Sequence, residues 1–283
     1  MTTPPQASTP ADRMSTSAAD YSPMLIALDI DGTLTASGRD IPEVTVRAVA
    51  DTIDAGHHIV LATGRSLVGV DPIVRRLGLR DGWVVASNGA VTARITRRHS
   101  LLLEDVRTFD PAAAIRRAWA AMPGAMVAVE VVGYGWRVSH RFAPGLLNGR
   151  QRIVRERDLW GQPTTRAVVQ AEGVTELLED IRSTGVTATP AGTDWIDITA
   201  VGLSKASGLE LVRSALGIVP EATVAVGDGM NDIELLTWAA RGVAMGHAPE
   251  RLRSIADEVT GTIDERGVVD VLRSITARDV ASR

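Results

Sequence analysis

The chain has 283 residues, 45% of them apolar, with a formal net charge of −4 and no cysteine. That is enough for a large core in one or two domains, and it excludes disulfides and thiolate metal sites. The mild acidity points to no nucleic-acid partner, no apolar stretch approaches the ~20 residues of a membrane span, and no signal-peptide core opens the chain, so a cytoplasmic protein without a membrane or nucleic-acid partner is expected.

Residues 1–22 are rich in Thr, Ser, Pro and Ala without periodicity and read as a disordered tail. Met24 to Leu28 is an apolar run of the kind that forms a fully buried strand. It runs into Asp29-Ile30-Asp31-Gly32-Thr33-Leu34, two carboxylates two residues apart. On a strand, positions i and i+2 face the same way, so Asp29 and Asp31 are expected side by side at the strand's C-terminal end if that geometry continues. Two such carboxylates are costly together unless a cation or a proton is shared between them. Solvated Asp residues in a turn are the plainer alternative.

A helix then starts near Ile41-Pro42-Glu43 and runs to Ala55, stopped by Gly56. His58 to Ala62 is a second strand, ending in Thr63-Gly64-Arg65; Ser66 caps a helix to Leu77, closed by Gly78. Trp83 to Ala86 is a third strand, ending in Ser87-Asn88-Gly89. This alternation predicts a doubly wound α/β fold with a parallel sheet. From Val91 the pattern turns α+β: a strand over 91–98, a helix over 110–122, a hairpin over 126–140, then a strand over 164–171, a helix over 174–183, and strands over 186–189 and 195–199. Alternation resumes with a helix from Lys205 to Leu216. A strand over 222–226 runs into Gly227-Asp228-Gly229-Met230-Asn231-Asp232, followed by a helix over 233–240 and a strand over 242–245. The expected organisation is a core over 23–90 and 199–283 interrupted by an inserted domain over 91–198.

Four strand ends thus carry polar residues, namely Asp29 and Asp31, Thr63, Asn88, and Asp228 with Asn231 and Asp232. In open α/β sheets ligands bind outside the carboxyl ends of the strands. Lys205, at a predicted helix start, is the single lysine of the chain, every other strong base being arginine. It is either a leftover surface residue or a position that needs a compact point charge. Carboxylates, a hydroxyl, backbone N–H groups and an ammonium are the parts that phosphoryl transfer uses: nucleophile, acid/base, cation ligands and charge stabilisers.

In four motifs the chain resembles the haloacid dehalogenase superfamily of phosphohydrolases, specifically the Cof-like group with a large type-IIB cap. Asp29-Ile30-Asp31-Gly32-Thr33-Leu34 is similar to its first motif, Ala62-Thr63-Gly64-Arg65 to its second, Gly202-Leu203-Ser204-Lys205 to its third and Gly227-Asp228-Gly229-Met230-Asn231-Asp232 to its fourth. The resemblance covers residues 24 to about 270. It implies a Mg²⁺-dependent phosphatase of a small phosphorylated metabolite, such as a sugar phosphate, working through an aspartyl-phosphate. Asp29 would be the nucleophile and Asp31 the general acid/base, its backbone carbonyl also on Mg²⁺. Asp228 would be a metal ligand, and Asp232 a ligand or the residue behind one. Thr63, Gly64 and Asn231 would bind the phosphoryl group, Asn88 it or the substrate, and Lys205 would neutralise Asp29 and the phosphate. The inserted segment would be a cap that closes over the site. A phosphomutase of the phosphomannomutase type and a non-hydrolytic phospho-acceptor signalling module are the alternatives.

Ala206 and Gly208 depart from the family's usual residues after the lysine, and His247 stands where relatives often carry Asn. His247 reads as an ordinary loop histidine, and His57 and His58 as turn residues. Arg65 is either a phosphate contact or a helix-surface residue. Arg137, His140, Arg141, Arg150, Arg152 and Arg155 read as a solvated basic face rather than a substrate site. Trp119, Trp136, Trp160 and Trp195 read as core of the inserted domain rather than sugar-stacking platforms.

Overall fold

The structure, a computed structural model, describes residues 23–36 and 39–281, the last four of these by backbone alone. The expected tail over 1–22 lies outside the described residues. In chain order the elements are β1 (Leu25–Leu28), α1 (Glu43–Asp54), β2 (His58–Ala62), α2 (Leu67–Arg76), β3 (Gly82–Ala86), β4 (Val91–Ile95), β5 (Leu101–Val106), α3 (Ala112–Ala121), β6 (Met126–Val131), β7 (Gly135–Val138), β8 (Arg150–Ile153) and α4 (Glu156–Leu159). There follow β9 (Ala167–Gln170), α5 (Leu178–Arg182), β10 (Val186–Pro190), β11 (Trp195–Ala200), α6 (Lys205–Leu216), β12 (Thr223–Gly227), α7 (Ile233–Trp238), β13 (Arg241–Ala244), α8 (Glu250–Arg253), β14 (Glu258–Val259) and α9 (Gly267–Ala281).

Among the described residues these strands form two sheets. The first runs β14-β13-β12-β1-β2-β3-β4-β5. β1 sits at its centre, parallel to β12 on one side and to β2 on the other. Its side chains alternate between two cores. Ile26 and Leu28 pack with residues of α1, α2 and α9, whereas Leu25 and Ala27 pack with residues of α6, α7 and α8. Helices on both faces are why the run is apolar at every position. The chain leaves β1 in one direction for β2 and β3 and returns on its other flank for β12 and β13. The carboxyl ends of β1, β2 and β12 therefore meet at the topological switch point, where an α/β sheet opens a crevice.

The boundary expected at residue 91 falls inside this sheet. β4 folds back antiparallel onto β3, and β5 onto β4, so 91–106 extend the first sheet instead of opening the inserted domain. Val91, Ala93 and Ile95 are buried in the same core as α1 and α2. An alternating strand reads the same whichever sheet it joins, and only the tight Ser87–Ala90 turn commits it to β3.

The second sheet runs β10-β11-β9-β6-β7-β8, antiparallel except for β7 with β8. One face packs on α3 and α5 through Val127, Val129, Ala167, Val169, Ile196 and Ile198. Residues of opposite parity, including Ala128, Trp136, Val138 and Val168, form a smaller cluster with Phe142 and Leu147 on the other face. The expected helix over 174–183 is a 3-10 turn over Val174–Leu177 followed by α5. No helix among the described residues is long and apolar enough to cross a membrane.

Ile26 is fully buried between β1 and the helices of the first core. Ile26→Ala is expected to cost about 2–5 kcal/mol of folding stability, seen as a lower urea midpoint at unchanged slope; a loss below about 1 kcal/mol would contradict the central place given to β1.

Candidate active site

Asp29 continues the parity of Leu25 and Ala27, so its carboxylate faces the α6 and α7 side of the sheet. Its backbone extends the ladder by one bond, Asp29 N–H donating to Val226 C=O at 3.0 Å. Lys205, the first residue of α6, is buried and donates through Nζ to Asp29 Oδ1 and to Asp232 Oδ1, both at 2.6 Å. A reciprocal box fixes the helix start, Ser204 Oγ accepting from Ser207 N–H and Ser207 Oγ from Ser204 N–H. The second oxygen of Asp232 accepts the backbone N–H groups of Asp228 and Gly229, at 3.0 and 2.9 Å, and so shapes the turn after β12.

Asp29, Asp228 and Asp232 each offer a carboxylate oxygen, all within 4.8 Å of one another. Burial, with Asp232 and Asp228 adding to it, pushes the Asp29 carboxyl well above the usual carboxylate range, although Lys205 pulls the other way. Burial and Asp232 push Asp228 up to about 6, against the opposing pull of His247 and Lys205. Burial alone would lower the Lys205 ammonium, but Asp232 and Asp29 outweigh it and hold it protonated. Three carboxylates face one ammonium, a deficit that one divalent cation would balance. The donors are all hard oxygens, which suits such an ion. Gly32 makes room: its φ is +83°, and a Cβ there would lie 2.1 Å from Asp228 Oδ2.

The carboxylate of Asp31 does not join this cluster. β1 ends at Leu28, so strand geometry does not carry on through Asp31: Asp29 is buried, whereas the Asp31 side chain is half exposed. The Arg65 guanidinium holds Asp31 in a two-point pair, Nε to Oδ2 at 2.7 Å and the second nitrogen to Oδ1 at 2.6 Å. Arg65 is thus a partner of Asp31, a third option beside the phosphate contact and the surface residue.

Thr63 is buried and its Oγ1 accepts from Arg65 N–H at 3.1 Å. The turn after β3 docks on this loop, Ser87 N–H donating to Arg65 C=O and Asn88 N–H to Thr63 C=O. Ser87 and Asn88 both have left-handed backbone, φ 51° and 53°, a conformation that costs a non-glycine residue about 1–3 kcal/mol and persists where the surroundings over-determine it. Asn231 Nδ2 donates to Asn88 Oδ1 at 3.0 Å. Asp29, Asp31, Thr63, Gly64, Asp228 and Asn231 line one cleft of about 340 Å³; Asn88 and Lys205 stand behind its wall. Ser66 sits at the predicted cap position of α2, but its hydroxyl makes no capping bond.

The far wall comes from the second sheet: Gly145, Leu146, Asn148, Arg166, Trp195 and Asp197. Sequence reading missed Arg166, Glu130 and Asp197. Arg166 donates to Gly64 C=O, stacks over Trp136 at 4.7 Å and lies 3.6 Å from Asp197 and 3.9 Å from Glu130. Glu130 accepts from Ser87 Oγ and Thr165 Oγ1. The available signal was a charge inside an otherwise apolar strand, as in Met126-Val127-Ala128-Val129-Glu130. Of the expected basic face, Arg141, Arg150, Arg152, Arg155 and His140 are exposed and none of the set lines this cleft. Trp136 is core, Trp119 and Trp160 pack edge to face at 5.7 Å, and Trp195 reaches the cleft. His247, read as an ordinary loop residue, accepts from Ile263 N–H through Nδ1 and places Nε2 3.6 Å from Asp228 Oδ2. His57 is buried and accepts from Met24 N–H at 3.2 Å, not a free turn residue.

A family model for haloacid dehalogenase-like hydrolases matches residues 26–114 and 162–272. The chain belongs to this hydrolase family. Its relatives include the 5-amino-6-(5-phospho-D-ribitylamino)uracil phosphatase YitU of Bacillus subtilis, 27% identical over 89% of this chain and 97% of that protein. The phosphatase YkrA of the same organism, named as putative, is 29% identical over 89% and 97%. Among solved structures, the phosphatase BT1666 of Bacteroides thetaiotaomicron superposes with a TM-score of 0.73 at 26% identity, over 93% of this chain and 98% of that one. The chain is therefore an enzyme of the hydrolase class, and the signalling-module alternative falls away.

The raised Asp228 carboxyl has a measurable sign. Its folded value of about 6 exceeds the ordinary 3.8, so its stabilising contribution is full at low pH and is lost as pH rises from about 4 through about 6. In metal-free buffer the wild type is expected to lose on the order of 2–3 kcal/mol relative to Asp228→Asn over that window. Thermal melting checks this; parallel curves for the two proteins would contradict the buried cluster.

Proposed function

We propose that the chain is a cytoplasmic Mg²⁺-dependent phosphohydrolase that removes phosphate from a small phosphorylated metabolite through an aspartyl-phosphate on Asp29. The observation that carries the reading is the buried Asp29–Lys205–Asp232 arrangement opening, with Asp228, into one cleft at the switch point of the sheet. The phosphatase names of relatives that match along nearly their whole length support it.

In this reading Asp29 Oδ attacks phosphorus while the bond from phosphorus to the leaving alcohol oxygen breaks. Asp31 gives its proton to that oxygen and afterwards takes one from a water whose oxygen attacks phosphorus. The bond to Asp29 then breaks, and inorganic phosphate leaves with both carboxyls restored. Arg65 holds Asp31 at the cleft edge between these transfers. The Lys205 ammonium opposes the effect of burial on Asp29 and lies against the developing charge. Thr63, Gly64 and Asn231 bind the phosphoryl oxygens. Asp29, Asp228 and the Asp31 carbonyl would hold Mg²⁺, with Asp232, both of whose oxygens are already engaged, behind them. When bound, the ion supplies positive charge against the phosphoryl oxygens.

The second sheet acts as the cap. Its wall of Trp195, Asp197, Asn148 and Arg166 excludes water and meets the leaving group. An indole face beside an amide, a carboxylate and a guanidinium suits a polyhydroxylated group, such as a sugar phosphate.

Phosphate release from a panel of phosphometabolites tests the proposal. Turnover is expected to need Mg²⁺, to stop with a chelator, and to fall by at least about 10³-fold in Asp29→Asn. Undiminished turnover in that variant would remove Asp29 as nucleophile.

A further inference from the structure

Three side chains of the second sheet reach across to the loops behind the cleft. Arg166 donates to Gly64 C=O, Glu130 accepts from Ser87 Oγ at 2.9 Å, and Asp197 Oδ2 accepts from Asn88 Nδ2 at 3.2 Å. Strand parity brings them together: Glu130 shares the face of Ala128, Arg166 that of Val168, and Asp197 that of Trp195.

The contact at Asp197 continues into the site. Trp195 Nε1 donates to Asp197 Oδ1 at 3.2 Å, and Asn88 Oδ1 accepts from Asn231 Nδ2 at 3.0 Å. The direction of this chain is dictated at one end. A carboxylate only accepts, so Asp197 draws the NH₂ of Asn88 to its side. The Asn88 carbonyl oxygen then has to face Asn231, which fixes the Asn231 amide in turn. Without Asp197 the Asn88 amide has no reason to prefer this face, and its turn is a left-handed one.

We propose that Asp197 is a positioning residue: acting from the second sheet, it sets the amide of Asn88 and through it that of Asn231, so the phosphate site is complete only when the second sheet is seated on the cleft. This rests on the phosphohydrolase reading and extends it to a residue with no place in the four motifs. It differs from a direct contact of Asp197 with the leaving group, which its position on the cleft wall also permits.

The test is steady-state phosphate release by the full chain with Mg²⁺, for wild type, Asp197→Asn, Asn88→Ala and the double variant, on p-nitrophenyl phosphate and on a hexose phosphate. Asn at 197 keeps the shape but cannot accept from both Trp195 and Asn88 while its own NH₂ faces one of them. Asp197→Asn is expected to lower kcat on the order of 10- to 100-fold on both substrates while the circular dichroism spectrum stays that of the wild type. In the Asn88→Ala background the same substitution is expected to do nothing further. Wild-type kcat in Asp197→Asn, an equal loss with and without Asn88, or a loss confined to the hexose phosphate would each overturn the relay while leaving the phosphohydrolase reading intact. A folded wild type that releases no phosphate from any of the panel would remove that reading, and the relay with it.

Discussion

The structure depends on one ammonium. Lys205 stands between Asp29 and Asp232, 2.6 Å from each, with almost no access to solvent. A buried carboxylate at the end of a central strand is tolerable only if it is paired, and removing one partner of such a buried arrangement costs about 3–5 kcal/mol. The rest follows from keeping Lys205 there. Ser204 and Ser207 fix the start of its helix, Asp232 ties it to the turn after β12, and Gly227 lets that turn close: a Cβ at residue 227 would lie 2.5 Å from the Asp232 carboxyl carbon. The one ammonium is shared between Asp29 and Asp232, and Asp228 adds a third carboxylate beside them, so the cluster is costly to hold together without further positive charge.

Chemistry and shape come from different sheets. The first supplies carboxylates on loops after strands buried on both faces, and the ammonium at the start of α6. The second supplies a wall whose polar residues are paired, Arg166 and Glu130 buried and Asp197 partly buried. Polar groups withdrawn from water in this way are expensive unless satisfied, so the two sheets meet through a small number of definite hydrogen bonds rather than a smooth apolar contact. That is a junction with a preferred seating.

Much of the first sheet was legible. The apolar run before Asp29, the strand ends at Thr63 and Asn88, and the isolated Lys205 all carry local signals, and the elements expected there lie within a few residues of expectation, whereas β5 and everything after β13, including α9, were not anticipated. What was not legible depends on distance or on chain direction. The i, i+2 spacing placed Asp29 and Asp31 together, but the strand ends at Leu28 and Asp31 pairs instead with Arg65, 34 residues on. The alternation of 91–95 carries no label for which sheet it joins. Leu101–Val106 and Arg150–Ile153 are largely exposed edge strands without the apolar–polar alternation of a half-buried strand. Glu130 and Asp197 find their partners 43 and 109 residues away, so no window of sequence could pair them.

The most direct measurement is a search for the phosphorylated enzyme itself. Wild-type protein would be mixed with substrate and Mg²⁺, quenched in acid within the first turnover, and digested for mass spectrometry. One added phosphoryl group on the peptide that contains Asp29, absent from Asp29→Asn, is the predicted result. Phosphate release at full rate with an unmodified Asp29 peptide, or a phosphoryl group on any other residue, would contradict the account.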